Sequence, residues 1–166
     1  LFLLISCHHN SSIKIKGYTM GTTYSIIIHD DLKLISNNED IKINVDSILL
    51  EINNIFSTYI DTSEINQINK SKIDTIFASN HFRYVLDNSI EVYNNTFKMF
   101  DPTIKPLIDI WNFSNSNIDF IPPLKDSIRD IIKNVGLDKI IVKNNFFIKQ
   151  NNIKLDFNAI AKGYAV

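Results

Sequence analysis

The chain has 166 residues, a formal net charge of −1 and 21% charged residues. That length supports one domain with a real hydrophobic core. The near-zero charge, with no basic stripe and no aromatics interleaved with Lys and Arg, excludes a nucleic-acid interface.

Ile, Asn and Lys are abundant while Gly, Ala and Arg are scarce. An AT-rich genome explains that bias, so the Asn pairs at 37–38, 94–95, 144–145 and 151–152 carry little weight as motifs. Leu1-Phe2-Leu3-Leu4-Ile5 is an apolar run too short to span a bilayer and suits the tail of a signal-peptide h-region. With Leu at position 1, the N-terminus is expected to be incomplete. Leu4-Ile5-Ser6-Cys7 matches a bacterial lipobox, where cleavage before Cys7 leaves a lipid-modified N-terminus. Only a thiol is nucleophilic enough to take the diacylglyceryl group. The competing reading is a buried Cys on an apolar strand. We favour the lipobox, since Cys7 is the single cysteine and polar residues from His8 to Ser12 follow at once. A lone Cys excludes an internal disulfide framework. His8-His9 reads as linker, because adjacent ligands in a flexible stretch do not fix a metal geometry. Residues 1–12 are therefore expected to be a signal-peptide remnant, lipobox and linker, and 13–166 the folded domain.

Ile13–Tyr18 alternates apolar and polar, and Tyr24–His29 is rich in β-branched residues, so two strands are expected. Between them, Met20-Gly21 admits two readings. One is a surface that lies against a flat ring, with Gly allowing close backbone approach; the other is a plain hairpin with a partly buried Met. After a polar loop to Asn38, a helix is expected from Glu39, with Ile41, Val45, Ile48, Leu49, Ile52, Ile55 and Phe56 on one face. Tyr59 sits at the break after it, facing either a cleft or the core. Asp61 or Thr62 is expected to cap a short helix carrying Ile65 and Ile68.

A second long helix is expected from Asn80, with Phe82, Val85, Leu86, Ile90, Tyr93 and Phe97 on one face. In Phe100-Asp101-Pro102-Thr103, Asp101 is pushed out of the α region by Pro102 and reads by default as a turn residue capping the next helix. Pro106 suits the start of a helix through Trp111. Asp126 is expected to cap a helix through Val135, stopped by Gly136. Strands are expected at 139–142, 146–149 and 153–156 as a small meander. Leu155-Asp156-Phe157-Asn158-Ala159-Ile160-Ala161-Lys162-Gly163-Tyr164 reads as a strand end, a turn and the opening of a helix. That helix is cut off at Val166, so the C-terminus is also expected to be incomplete. The order implies an α+β domain with a mainly antiparallel sheet and packed helices.

Four stretches in this order resemble one family: Thr19-Met20-Gly21-Thr22-Thr23-Tyr24; Phe56-Ser57-Thr58-Tyr59 with Ser63-Glu64-Ile65; Phe100-Asp101-Pro102-Thr103 with Pro106-Leu107 and Trp111; and Leu155-Asp156 with Ile160-Ala161-Lys162-Gly163-Tyr164-Ala165. Together they resemble the FAD:protein FMN transferases, the ApbE family, from about Gly17 to the end of the chain. The lipobox fits the same resemblance. It implies an enzyme that splits FAD and, with Mg²⁺, moves FMN onto a Thr or Ser hydroxyl of a target protein, typically a subunit of a membrane redox pump. It also implies a lipid-anchored periplasmic setting, at the inner membrane more than the outer. By that pattern Met20, Tyr59, Met99, Phe100, Asp101, Asp156 and Lys162 contact FAD, and the backbone carbonyl of Ala159 ligates the metal. No catalytic residue is assigned.

The chain departs from the family pattern at several positions. Ala is common at Met99, Gly at Lys105 and Asn112, and pairs of small residues at Asn158-Ala159. Met99 and Lys105 are expected to narrow the FAD groove. The resemblance puts the remaining metal ligands further downstream, so this chain is expected to be an inactive fragment. The alternatives are a non-catalytic FAD-binding lipoprotein, an FAD pyrophosphatase, or a decayed gene product.

Overall fold

The computed structural model describes residues 12–29, 37–112, 121–150 and 152–166. Cys7, His8, His9 and most of the loop expected before Asn38 lie outside the described residues. The chain divides into two compact units, Leu1–Glu51 and Ile52–Val166.

In the first unit, β1 (Ser12–Thr19) and β2 (Thr22–His29) form an antiparallel hairpin. Ile15 faces Ile26 and Ile13 faces Ile28, so these four isoleucines share one side of the ribbon, while Ile27 lies on the other. Gly17 pairs with Tyr24, and a Cβ on Gly17 would meet the Tyr24 ring at 2.3 Å. The tight approach explains the glycine. The turn is Met20-Gly21, both in the left-handed region (φ 48° and 72°), which matches the twist of a two-residue hairpin. A non-Gly residue there costs about 1–2 kcal/mol. The plain-hairpin reading of Met20 therefore describes the backbone, with its side chain half-buried.

α1 (Asn38–Phe56) begins in this unit and ends in the next. Leu49, Ile52, Ile55 and Phe56 are buried as its spacing predicts, whereas Ile48 is mostly exposed. The second unit holds α2 (Glu64–Lys70), α3 (Asn80–Asn95), α4 (Lys105–Trp111), α5 (Lys125–Ile132), α6 (Asn158–Ala165) and a small antiparallel sheet. That sheet has the order β3-β5-β4, from β3 (Thr75–Ile76), β4 (Ile141–Val142) and β5 (Phe147–Ile148). The α+β class with antiparallel pairing holds, but as two small sheets. The third strand of the expected meander is β3; Leu155 and its neighbours join no ladder among the described residues.

Other local expectations shift for identifiable reasons. Ser63 caps α2, accepting from Asn66 N–H, where Asp61 or Thr62 was expected. Ser79 caps α3 in the same way, accepting from Phe82 N–H. Phe97 lies past the end of α3 in the left-handed region and is 89% exposed, so it leaves the buried face of that helix. Leu124, not Asp126, occupies the cap of α5, and Asp126 pairs with Arg129 instead. Asn112 ends α4 in the left-handed conformation, which Gly and Asn adopt most readily.

The core of the second unit is an aromatic stack. Phe82 of α3 lies parallel to Phe147 of β5 at 5.9 Å, and stacks on Phe56 of α1 at 6.0 Å. Phe157, just before α6, meets Phe82 edge-on at 5.3 Å. All four are buried, and such pairs add about 0.5–1.5 kcal/mol beyond area burial. This stack seats the end of α1 and the start of α6 beside one another in the same core.

Candidate active site

Three chain segments of the second unit meet around a cleft of about 340 Å³. They are the turn after α1 with Thr58 and Tyr59, the stretch from Met99 to Ile108, and the turn into α6 with Asp156, Asn158 and Ala159.

The first segment is held by α2. Ser63 Oγ donates to the Ser57 carbonyl at 2.7 Å, and Asn66 Nδ2 donates to the carbonyls of Thr58 (3.2 Å) and Ile60 (2.9 Å). Those bonds give partners to carbonyls of the turn that follows the helix. They also fix the turn on which Tyr59 stands, its side chain turned outward and 78% exposed at the cleft.

The second segment begins with a reversal after α3. Phe97 and Lys98 have φ of 52° and 66°, and Lys98 N–H returns to the Tyr93 carbonyl at 2.8 Å. This left-handed exit delivers Met99, 89% exposed, to the cleft. Asp101 then makes an Asx turn: its Oδ1 accepts from Thr103 N–H at 2.8 Å and from Thr103 Oγ1 at 2.6 Å. The buried Thr103 hydroxyl oxygen accepts in turn from Gly136 N–H at 2.7 Å. The default reading of Asp101 as a turn residue is correct, and the same residue also lines the cleft.

The third segment is pinned from two sides. Leu155 is bonded through both backbone groups to Asn69 of α2. Asp156 N–H donates to the Pro102 carbonyl at 2.8 Å, tying this segment to the second. Asp156 Oδ1 accepts from Asn158 N–H at 2.8 Å, and Asn158 Nδ2 reaches both Asp156 Oδ2 and Thr58 Oγ1 at 3.2 Å. Burial pushes the Asp156 carboxyl above its ordinary range; the Asn158 N–H and the Lys105 ammonium oppose that rise.

Of the residues expected to contact a flavin nucleotide, Tyr59, Met99, Phe100, Asp101 and Asp156 line this one cleft, with Ala159. Lys162 is exposed on α6 and is not among the lining residues. Met20 belongs to the other unit. The sequence reading did not single out Asn66 or Asn69, and it gave no holding role to Ser63 or Thr103, although both stand in the stretches that carry the resemblance. Two of the four had a local signal: Thr103 the Asp-Pro-Thr spacing of an Asx turn, and Ser63 the preference for Ser at a helix N-cap.

Oxygen donors suited to Mg²⁺ are present in the Asp156 carboxylate and the Ala159 carbonyl. Among the described residues, however, no three His, Cys, Asp or Glu side chains come together in a metal-binding group. The described residues by themselves therefore do not fit as a complete metal site.

The sequence matches the profile described as the ApbE family over residues 20–166. It is 28% identical to the FAD:protein FMN transferase of Haemophilus influenzae, over 98% of this chain and 49% of that protein. It is 27% identical to the FAD:protein FMN transferase of Vibrio cholerae, over 100% of this chain and 50% of that one. The chain thus spans about half the length of the curated relatives it matches. In structure it resembles the flavin transferase ApbE of Vibrio cholerae, with a TM-score of 0.88 at 24% identity, over 95% of this chain and 51% of that one. The apo flavinyl transferase ApbE of Pseudomonas stutzeri gives a TM-score of 0.87 at 23% identity, again over 95% and 51%. These two likenesses establish the fold, and the family match covers nearly the whole sequence. The chain belongs to the ApbE family.

Proposed function

We propose that this chain carries the flavin-nucleotide cleft of a FAD:protein FMN transferase. In this reading a Thr or Ser hydroxyl of a target protein attacks the FMN-side phosphorus of FAD. The bond from that phosphorus to the bridging oxygen breaks, AMP leaves, the hydroxyl proton is released, and FMN stays on the target as a phosphoester.

The observation that carries the reading is the convergence of Tyr59, Met99-Phe100-Asp101 and Asp156, Asn158 and Ala159 on one cleft. Such a transfer depends on holding the diphosphate in line with its attacker more than on covalent chemistry by the protein. Rigidly tied segments with exposed Tyr59 and Met99 side chains suit that role. They offer flat apolar contact for a ring, with anchored polar groups beside it. Lys162 is proposed as a further contact reaching from α6. Met20 is proposed as a contact with the flavin nucleotide. Mg²⁺ enters the reading through the family resemblance, its site including the Ala159 carbonyl.

The target is proposed to be a subunit of a membrane redox pump. The protein is proposed to be anchored through a lipid on Cys7 at the periplasmic face of the membrane, the inner one in preference to the outer. No helix among the described residues is long and apolar enough to cross a membrane.

The test is to incubate the protein, in the full length its gene encodes, with FAD, Mg²⁺ and a purified acceptor domain. A fluorescent band of covalently bound FMN on the acceptor is the expected result. Free FMN and AMP without labelling would make the protein a pyrophosphatase. Bound FAD that stays intact would make it a flavin-binding lipoprotein.

A further inference from the structure

We propose that Lys105, at the start of α4, is the residue that takes the charged phosphates of the nucleotide in this cleft. The inference rests on the flavin-nucleotide reading above and deepens it, since it names the cation that recognises the diphosphate.

A nucleotide diphosphate brings negative charge into a cleft whose lining already includes Asp101 and Asp156. Unscreened, those like charges repel over the few ångströms that separate cleft walls. Among the described residues that line the cleft, Lys105 is the one with a basic side chain. That side chain is only 18% exposed and is held one helical turn on by Asp109, through an ion pair to Asp109 Oδ1. An ammonium has three donors, so that pair leaves two N–H groups for a ligand. The Asp156 carboxyl is held down by Lys105 and pushed up by Asp109, so it lies within electrostatic reach of this ion pair.

Asp101 Oδ1 is taken by Thr103, and both oxygens of Asp156 are taken by Asn158. Asp109 supplies one partner to Lys105 and fixes where its charge sits. The arrangement is a pre-positioned point charge at the cleft wall, the form in which Lys recognises phosphate.

The experiment is a fluorescence titration of the full chain with FAD and with riboflavin, which carries no phosphate. Lys105→Met, Lys105→Arg and Lys133→Met are compared; Lys133 pairs with Asp130 on α5 and is not a lining residue. Lys105→Met is expected to weaken FAD about tenfold or more, as loss of a bond to a charged group would, and to leave riboflavin unchanged. Lys105→Arg should keep most of the FAD affinity, and Lys133→Met all of it. The FAD affinity of the wild type should fall with added salt, and that of Lys105→Met less steeply. Equal loss of FAD and riboflavin in Lys105→Met, or no loss of either, would overturn the assignment. A wild-type chain that binds riboflavin but discriminates nothing by phosphate also overturns it. If the wild type binds neither flavin, the nucleotide reading itself fails, and Lys105 falls with it.

Discussion

Asn69 holds Leu155 as a neighbouring strand would. Its Nδ2 donates to the Leu155 carbonyl at 2.8 Å, and its Oδ1 accepts from Leu155 N–H at 2.7 Å, across 86 residues of sequence. Leu155 is fully buried and has no ladder partner among the described residues, so these two bonds satisfy its backbone. Asp156 follows directly, and its own N–H goes to Pro102. One buried amide therefore sets the position of the carboxylate that lines the cleft.

Replacing Asn69 by Ala orphans both backbone groups of Leu155, at about 1–3 kcal/mol for each left unsatisfied. Urea unfolding should show a lowered midpoint with an unchanged slope, and FAD affinity should fall alongside it. A variant with the wild-type midpoint would show that water replaces the amide at no cost.

The aromatic stack predicts a second effect. Phe82 is fully buried between Phe56, Phe147 and Phe157. Phe82→Ala should cost about 3–5 kcal/mol, whereas Phe82→Leu should cost less because it keeps more of the volume. Thermal unfolding followed by circular dichroism ranks the two; equal melting temperatures for both and the wild type would contradict the packing described.

Much of this architecture is legible in the sequence, and the exceptions share a cause. Helical spacing finds the buried face of α3 through Phe82, Val85, Leu86 and Tyr93, because an amphipathic period repeats over several turns. Pro106 and Asp101-Pro102 mark their turns because proline restricts the backbone locally. β3 is missed because two residues, Thr75-Ile76, cannot display a period, and its partner Phe147-Ile148 is far along the chain. Asn69 is missed for the same reason: in an Asn-rich chain, only a tertiary contact distinguishes it. Phe97 looks like one more residue on the helical face until the chain turns left-handed at that position. The cleft residues are legible through the family resemblance, but their convergence is a property of the fold.

Lys149 gives a pH prediction. Its side chain is buried and its Nζ has no hydrogen-bond partner among the described residues. Burial lowers its pKa from 10.5, the Asp74 charge opposes that, and Lys154 adds to it. A Lys with a lowered folded-state pKa binds fewer protons folded than unfolded, so stability rises with pH. The gain should accumulate from the lowered value up to about 10.5. Lys149→Met should flatten that rise and stabilise the protein at neutral pH by about 1–3 kcal/mol, the cost of burying an unpaired polar group. Chemical unfolding at a series of alkaline pH values checks both; an unchanged pH profile in the variant would contradict the assignment.

Tyr59 and Met99 separate binding from stability. Both are largely exposed at the cleft, so Tyr59→Ala and Met99→Ala should each alter unfolding free energy by no more than about 0.5 kcal/mol. Each should weaken FAD severalfold in a fluorescence titration. Loss of stability with intact flavin affinity would reverse their roles.

The central claim is that three tethered segments form a flavin-nucleotide site, and amide hydrogen exchange with and without FAD tests it most directly. Ligand seated in the cleft should slow exchange around Thr58-Tyr59, Met99–Asp101 and Asp156–Ala159 together, while α5 keeps its rates. FAD that binds yet protects none of these segments, or protects only amides elsewhere, would contradict it.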